Sequence, residues 1–187
     1  MSATGKMIIV PVFVDDMFPA CATEDLVEMT ADMDVLRDKY KIPQMEEADV
    51  VLGMRIRRDR PKGTLTLNQE LYTTQLVEKF GMSGSKIAAF PEAVKPEHQP
   101  KQEKGIDKFP QYGSIVGGLM YAAISGRPDI AHATSMLARS LKNLTSSSWL
   151  AAKRVLRYLN GTQQLKLVYG SSNSKTIEIS PAFCDAD

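Results

Sequence analysis

Cysteine and histidine are both scarce in this sequence of 187 residues. Only Cys21 and Cys184 are present, far apart and without CxxC spacing, and there are two histidines. Such numbers exclude a disulfide framework and argue against a zinc site. We therefore expect no disulfide partner and interpret both cysteines as small apolar residues.

An excess of charge and long apolar segments are also missing. The 23 Lys and Arg residues nearly cancel the 22 Asp and Glu residues, so net charge favours no class of partner. No segment approaches the roughly 18 continuous apolar residues of a membrane span, and the first 15 residues lack a secretory cleavage pattern. The sequence predicts an intracellular protein with no membrane partner, in a cytoplasmic particle or the nucleus.

Apolar periodicity is what the sequence does provide, and it predicts an α+β fold. Alternation and β-branched content predict strands at 6–14, 50–56, 64–67, 165–169 and 176–184. Three- and four-residue spacing predicts helices near 24–40, 69–80, 112–125, 128–141 and 148–161. Residues 91–110 are rich in Pro, Lys, Glu and Gln, which predicts a linker.

Two adjacent carboxylates, Asp15 and Asp16, follow directly after the first apolar strand. Neighbouring like charges repel, and each carboxylate is costly to desolvate. A Mg²⁺ ion would offset that cost because it prefers hard oxygen ligands. A hairpin turn, in which Asp is common for its local hydrogen bonds, is the more frequent explanation of such a pair taken alone.

Several motifs, in order, resemble one known family. Phe13-Val14-Asp15-Asp16 resembles the Tyr-Val-Asp-Asp box of reverse transcriptases, and Val51–Ile56 is similar to their primer-gripping strand. The segments YGSIVGGLMY, GRPDI and WLAAKRVLRYLNGT, which begin at Tyr112, Gly126 and Trp149, are similar to the copia group. Together these motifs cover nearly the whole chain. The sequence therefore resembles a copia-type LTR retrotransposon polyprotein, from the C-terminal part of reverse transcriptase into the start of ribonuclease H.

This resemblance implies a division of the chain. Residues 1–67 would be the C-terminal part of the polymerase palm, 68–90 a thumb-like helical segment and 91–110 a linker. Residues 111–163 would form a helical connection, and 164–187 the first strands of a truncated ribonuclease H domain.

The resemblance also implies roles for individual residues. Asp15 and Asp16 would be catalytic ligands of two Mg²⁺ ions, and Asp185 a metal ligand of the ribonuclease H site. Gly53 and Met54 would lie against the primer backbone, although a plain edge strand accounts for them equally well.

Two groups of basic residues suggest phosphate contacts independently of the resemblance. Lys153, Arg154 and Arg157 lie three and four residues apart on one helix, which is typical of a phosphate-binding face and also of a solvated one. Arg55 and Arg57 lie on one side of a predicted strand, where they would follow a nucleic-acid backbone or protect the edge from aggregation.

The implied function is that of a fragment of a retrotransposon RNA-directed DNA polymerase, which performs two-metal nucleotidyl transfer in the full parent. Its implied partners are an RNA/DNA template-primer duplex and the remainder of the parent polyprotein. Only 14 residues precede Asp15, so no earlier catalytic Asp or nucleotide-binding segment is visible. We expect the isolated chain to be inactive. The alternatives are a non-catalytic nucleic-acid-binding or domesticated remnant, and a gene-model fragment with no stable role.

Overall fold

The computed structural model describes residues 7–14, 16–42, 47–92 and 109–170, and it divides into two compact units. The first unit ends at Ala48 and the second begins at Asp49. Helices and antiparallel strands both occur, which confirms the predicted α+β class. Among the described residues, the helices are too short or too polar to cross a membrane. Most of the predicted linker, residues 93–108, lies outside the described part of the chain.

The first unit contains a short hairpin and one helix. Strand β1 (Val12–Phe13) pairs antiparallel with β2 (Asp16–Met17), and helix α1 spans Leu26–Tyr40. The predicted strand over residues 6–14 is too long, since Ile9 makes only an isolated bridge with Ala20. Pro11 lies between that bridge and β1, and its lack of an N–H group interrupts the ladder.

Helix α1 leaves most of its apolar residues uncovered. Leu26, Met29, Met33, Leu36 and Tyr40 recur at helical spacing, as predicted, but Met29 alone among them is fully buried within the described residues. Leu26 and Tyr40 are 50% and 61% exposed. The small first unit therefore provides too little surface to bury an amphipathic helix.

The second unit contains a four-stranded antiparallel sheet. Its order is β3 (Val50–Val51), β4 (Met54–Asp59), β5 (Thr64–Asn68) and β6 (Lys166–Tyr169), so β6 pairs with β5 across almost 100 residues of sequence. The prediction of one continuous strand over 50–56 is wrong. Leu52 and Gly53 form a turn there, which reverses the chain between β3 and β4.

Four helices pack against one another in this unit. They are α2 (Glu70–Lys79), α3 (Tyr112–Ser125), α4 (Ala131–Arg139), which follows a 3₁₀ turn at Pro128–Ile130, and α5 (Ser146–Gly161). These ranges confirm the helices predicted from apolar spacing. Helix α5 begins earlier than predicted, because its N-cap is Thr145 and not Ser148. The Thr145 hydroxyl accepts a hydrogen bond from the Ser148 N–H. The buried core includes Leu76, Ile115, Val116, Leu119, Ile130, Val155, Leu156 and Leu159.

A buried arginine joins the α3–α4 corner to the end of α5. Arg127 is 1% exposed, and its guanidinium donates to both carboxylate oxygens of Asp129, at 3.0 and 2.8 Å. The same guanidinium donates to the Thr162 carbonyl at 3.1 Å and to the Thr162 hydroxyl at 2.6 Å. Tyr158 donates its hydroxyl to Asp129 at 2.9 Å. These bonds position the end of α5 and, through it, the chain that enters β6.

Burial, hydrogen bonds and charge in this cluster shift the pKa values of two groups. Burial opposes ionisation of Asp129, but hydrogen bonds from Arg127 and Tyr158 outweigh it and hold the Asp129 pKa below its ordinary value. Burial raises the pKa of Tyr158, and its hydrogen bond to the Asp129 carboxylate raises it further. The cluster is therefore most stable with Asp129 ionised and Tyr158 neutral.

Candidate functional site

The hairpin of the first unit presents one of the two predicted catalytic acids. Phe13 pairs with Asp16, so two residues connect the strands, and Asp16 is exposed. Val14 has a φ of +53° and is 82% exposed. A β-branched residue rarely adopts positive φ, and such strain is concentrated at functional sites. Asp15 lies outside the described residues.

The described residues do not test the predicted Mg²⁺ site. Asp16 supplies one hard carboxylate donor of the kind that Mg²⁺ prefers. No group of three or more His, Cys, Asp or Glu residues that could hold a metal ion occurs in the described ranges. Asp185, the predicted ligand of the separate ribonuclease H site, lies outside them. One carboxylate does not form a metal cage, so no catalytic step through Mg²⁺ follows from the described geometry.

The predicted primer-contacting residues lie at the turn between β3 and β4. Leu52 and Gly53 have φ angles of +50° and +75°, the signature of a tight two-residue hairpin turn. Gly53 is exposed, and Met54 begins β4 half-buried. The Tyr121 hydroxyl donates to the Leu52 carbonyl at 2.7 Å. This hydrogen bond to helix α3 supports a conformation that leucine disfavours.

Two tyrosines connect this turn to a groove between α2 and α3. The Tyr72 and Tyr121 rings meet edge to face, with centroids 4.7 Å apart. The Tyr72 hydroxyl donates to the Gly118 carbonyl at 3.0 Å, and burial raises the pKa of Tyr72, with Tyr121 adding to the effect. The groove has a volume of about 370 Å³ and is lined by Tyr72, Gln75, Leu76, Lys79, Ser114, Gly117 and Gly118.

The groove combines one cation, neutral hydrogen-bonding groups and open backbone. Gly117 has open space where a side chain would begin, so a ligand can approach the α3 backbone closely. Gly118 instead permits helix packing, since a Cβ there would lie 2.4 Å from Leu76 Cδ1. Lys79 supplies a cation, while Gln75 and Ser114 supply neutral hydrogen-bonding groups.

The predicted basic residues of α5 are half-buried. Lys153 places its ammonium 4.9 Å from the centre of the Trp149 ring, a cation–π arrangement. Arg154 and Arg157 each have a buried Nε without a hydrogen-bond partner in the structure. These three residues lie on α5, whereas Gly53 is joined through Tyr121 to α3. The described contacts therefore place the predicted phosphate-binding residues on two separate elements.

Sequence reasoning missed the tyrosines and Lys79. Tyr121 ends the quoted YGSIVGGLMY segment, and Tyr72 and Lys79 lie on a helix that was correctly predicted. Nothing in local spacing shows that Tyr121 bonds to a residue 69 positions earlier. An aromatic residue with a polar tip on a half-exposed helix face is the one signal that could have drawn attention to it.

Comparison with known proteins identifies relatives along almost the whole chain. A retrovirus-related Pol polyprotein from transposon TNT 1-94 of Nicotiana tabacum is 35% identical over 190 residues, which is 98% of this chain and 14% of the relative. The Pol polyprotein from transposon RE2 of Arabidopsis thaliana is 32% identical, across 98% of this chain and 12% of its own length. A transposon Ty5-1 protein of Saccharomyces cerevisiae is 29% identical, across 99% of this chain and 58% of that protein.

No family model matches the chain, and no solved structure matches it significantly. The chain spans only about one seventh or less of the length of the two Pol polyproteins. These matches along almost the whole chain confirm the resemblance stated from sequence. Over almost its whole length, the chain is therefore similar to one region of the retrovirus-related Pol polyproteins of copia-type transposons.

Proposed function

We propose that this chain is the part of a retrotransposon RNA-directed DNA polymerase that supplies two of its catalytic acids and contacts the template-primer duplex. The observation that carries the proposal is the β1–β2 pairing of Phe13 with Asp16. It places an exposed acid at the end of a tight hairpin in which Val14 adopts a strained positive φ. Asp15 and Asp16 would contribute carboxylates to the Mg²⁺ site of the complete polyprotein, with Asp185 in its ribonuclease H site.

The second unit supports duplex binding through a surface built from small, aromatic and cationic groups. Gly53 is exposed in its turn, and the turn is fixed by Tyr121. Beside Tyr72, the groove offers the open backbone at Gly117 and the Lys79 ammonium. Such a surface can contact a sugar-phosphate backbone without reading bases.

The finer subdomain assignment belongs to the same proposal. Residues 1–67 would be palm, 68–90 thumb-like, 111–163 a helical connection and 164–187 the start of ribonuclease H. Helix α2 would then present Gln75 and Lys79 to the duplex from the groove, while Val77, on the opposite side of the helix from Lys79, packs in the core.

Duplex binding by the purified chain tests this function. We expect a labelled RNA/DNA duplex to bind with an affinity that falls as salt rises, because phosphate contacts release counterions. Lys79→Gln should weaken binding and reduce the slope of log affinity against log salt by roughly 0.9 per lost contact. Lys86→Gln is the matched control, since Lys86 is exposed and lies outside the groove. An equal effect of both variants, or no binding at all, would contradict the proposal.

A non-catalytic nucleic-acid-binding remnant is the second candidate. It rests on the groove between α2 and α3, where Lys79, Gln75 and Ser114 offer a cation and hydrogen-bonding groups without the acids of a polymerase site. Primer extension with Mg²⁺ separates the two functions. Extension that is abolished by Asp15→Asn would exclude the remnant, whereas salt-dependent duplex binding without extension supports it.

A further inference from the structure

Helix α1 carries an exposed apolar ridge on the side away from its buried residue. Val27, Ala31 and Val35 recur every four residues, so they lie along one side of the helix. Val27 and Val35 are 83% and 67% exposed, and Ala31 is exposed as well. Met29, the fully buried residue of α1, lies on the opposite side. The outer ridge, which is Val27, Ala31 and Val35, is therefore apolar surface that the described part of the chain leaves uncovered.

The helix that carries the outer ridge is strongly acidic. Residues 23–40 contain six acidic residues and two basic ones, a net charge of −4, although the whole chain is close to neutral. One of the two basic residues, Arg37, is paired with Asp34 at 2.7 Å. Glu24 and Asp32 are exposed, and within the described ranges neither forms an ion pair. Unpaired negative charge therefore borders the apolar ridge.

This charge argues against several occupants of the ridge. Nucleic-acid phosphates and anionic lipid headgroups would be repelled by it. A second copy of the chain is also disfavoured. In an antiparallel pair of ridges Glu24 would meet Asp38 of the second copy, and in a parallel pair the two Glu24 residues would meet. Like charges that face each other across an interface destabilise it.

We propose that the outer ridge binds a basic amphipathic helix of a protein partner. Apolar side chains at three- and four-residue spacing on that helix would pack against Val27 and Val35, which lie about 12 Å apart along α1. Lysines or arginines beside the apolar stripe would meet Glu24 and Asp32, as flanking charges select partners in coiled coils. The ridge belongs to the first unit. The inference therefore does not depend on the groove of the second unit.

A designed peptide tests the apolar part of this surface. The probe is a fluorescein-labelled peptide of about 18 residues, slightly longer than α1, in which leucine and lysine alternate with helical spacing. Its binding to the full chain is followed by fluorescence anisotropy. Val27→Ser combined with Val35→Ser should weaken binding roughly tenfold or more, because the two valines lose their apolar contact area. Val12→Ser is the matched control, since Val12 is 63% exposed in the same unit but lies outside α1, and it should leave the affinity unchanged.

Reversal of charge tests the electrostatic part. Asp32→Lys combined with Asp38→Lys should weaken binding of the leucine–lysine peptide and create binding of the corresponding leucine–glutamate peptide. Both positions lie in the helix interior or its last turn, where lysine is compatible with the helix. This variant decides the question by itself if the double serine variant loses helical circular dichroism. A variant that keeps the original preference for the leucine–lysine peptide would overturn the proposal.

Three further outcomes would also overturn it. Equal binding of a scrambled leucine–lysine peptide would show that net charge alone attracts the probe. Absence of binding to the unmodified chain would remove the site. Self-association in light-scattering measurements that is lost in the double serine variant would assign the ridge to a second copy of the chain. Binding of an RNA/DNA duplex should be the same in the double serine variant and the unmodified chain, so failure of the ridge leaves the proposed function untouched.

Discussion

Replacing Arg127 by methionine is expected to destabilise the second unit by about 3 kcal/mol. Methionine keeps much of the length and apolar volume of the side chain but removes its charge and donors. The lost bonds are two to Asp129 and two to Thr162. Removing one partner of a buried ion pair costs roughly 3–5 kcal/mol, since the other charge is left uncompensated.

The lower end of that range applies because of the position of Asp129. Its side chain is 31% exposed, whereas that of Arg127 is 2% exposed. In the variant, water can therefore partly solvate the Asp129 carboxylate, and Tyr158 still donates a hydrogen bond to it. For a chain of this size 1 kcal/mol corresponds to roughly 2–4 °C, so the melting temperature should fall by roughly 6–12 °C.

Thermal and urea unfolding followed by circular dichroism measure this loss. Arg139→Met is the control, because Arg139 is an exposed residue at the end of α4 and its replacement should change stability by less than about 0.5 kcal/mol. A loss below about 1 kcal/mol for Arg127→Met, or one equal to the control, would refute the reasoning. A double-mutant cycle with Asp129→Asn should show a coupling of roughly 0.5–3 kcal/mol.

Three further changes test other parts of the structure. The Gly117→Ala variant should be more stable than Gly118→Ala by roughly 1–3 kcal/mol in urea titrations. The new methyl group at position 117 enters open space, whereas a Cβ at position 118 meets Leu76. Equal stability of the two variants would contradict this packing. The lowered pKa of Asp129 stabilises the fold at pH values above the unfolded pKa of about 3.9, and this stabilisation is lost as pH falls through the folded pKa. The loss of unfolding free energy caused by Asp129→Asn at pH 7 should therefore become smaller below about pH 4. A loss that does not change with pH would contradict this. Tyr121→Phe removes the bond to the Leu52 carbonyl. The amide of Ile56, which donates to the Asp49 carbonyl in the β3–β4 hairpin, should then exchange hydrogen faster; an unchanged rate would show that the turn is stable without α3.

Local sequence patterns were sufficient for the helices of the second unit. The apolar spacing around Leu76 and Val155 predicted α2 and α5, and the α3 range agreed at both ends. Apolar residues at three- and four-residue spacing specify a buried helical face almost regardless of what covers it. The same pattern in α1 was less informative about burial, since Leu26 and Tyr40 stay exposed.

The turn at Leu52 and Gly53 could not be predicted in this way. Val50, Val51 and Leu52 favoured a continuous strand. Leucine rarely adopts a positive φ, so its presence does not indicate a turn of this kind. The conformation is supported by Tyr121, which is 69 residues away. Burial of Arg127 was equally invisible, because arginine is usually exposed and its partner Thr162 follows 35 residues later.

The sequence by itself determined the family, the α+β class, the helices and the adjacent acids Asp15 and Asp16, because each depends on residues close together in the chain. Tertiary structure alone decided which distant residues meet. It joined Tyr121 to the Leu52 turn, enclosed Arg127, and paired β6 with β5 across almost 100 residues of sequence. Strand register and helix packing depend on the shape of the whole core, which no local pattern encodes.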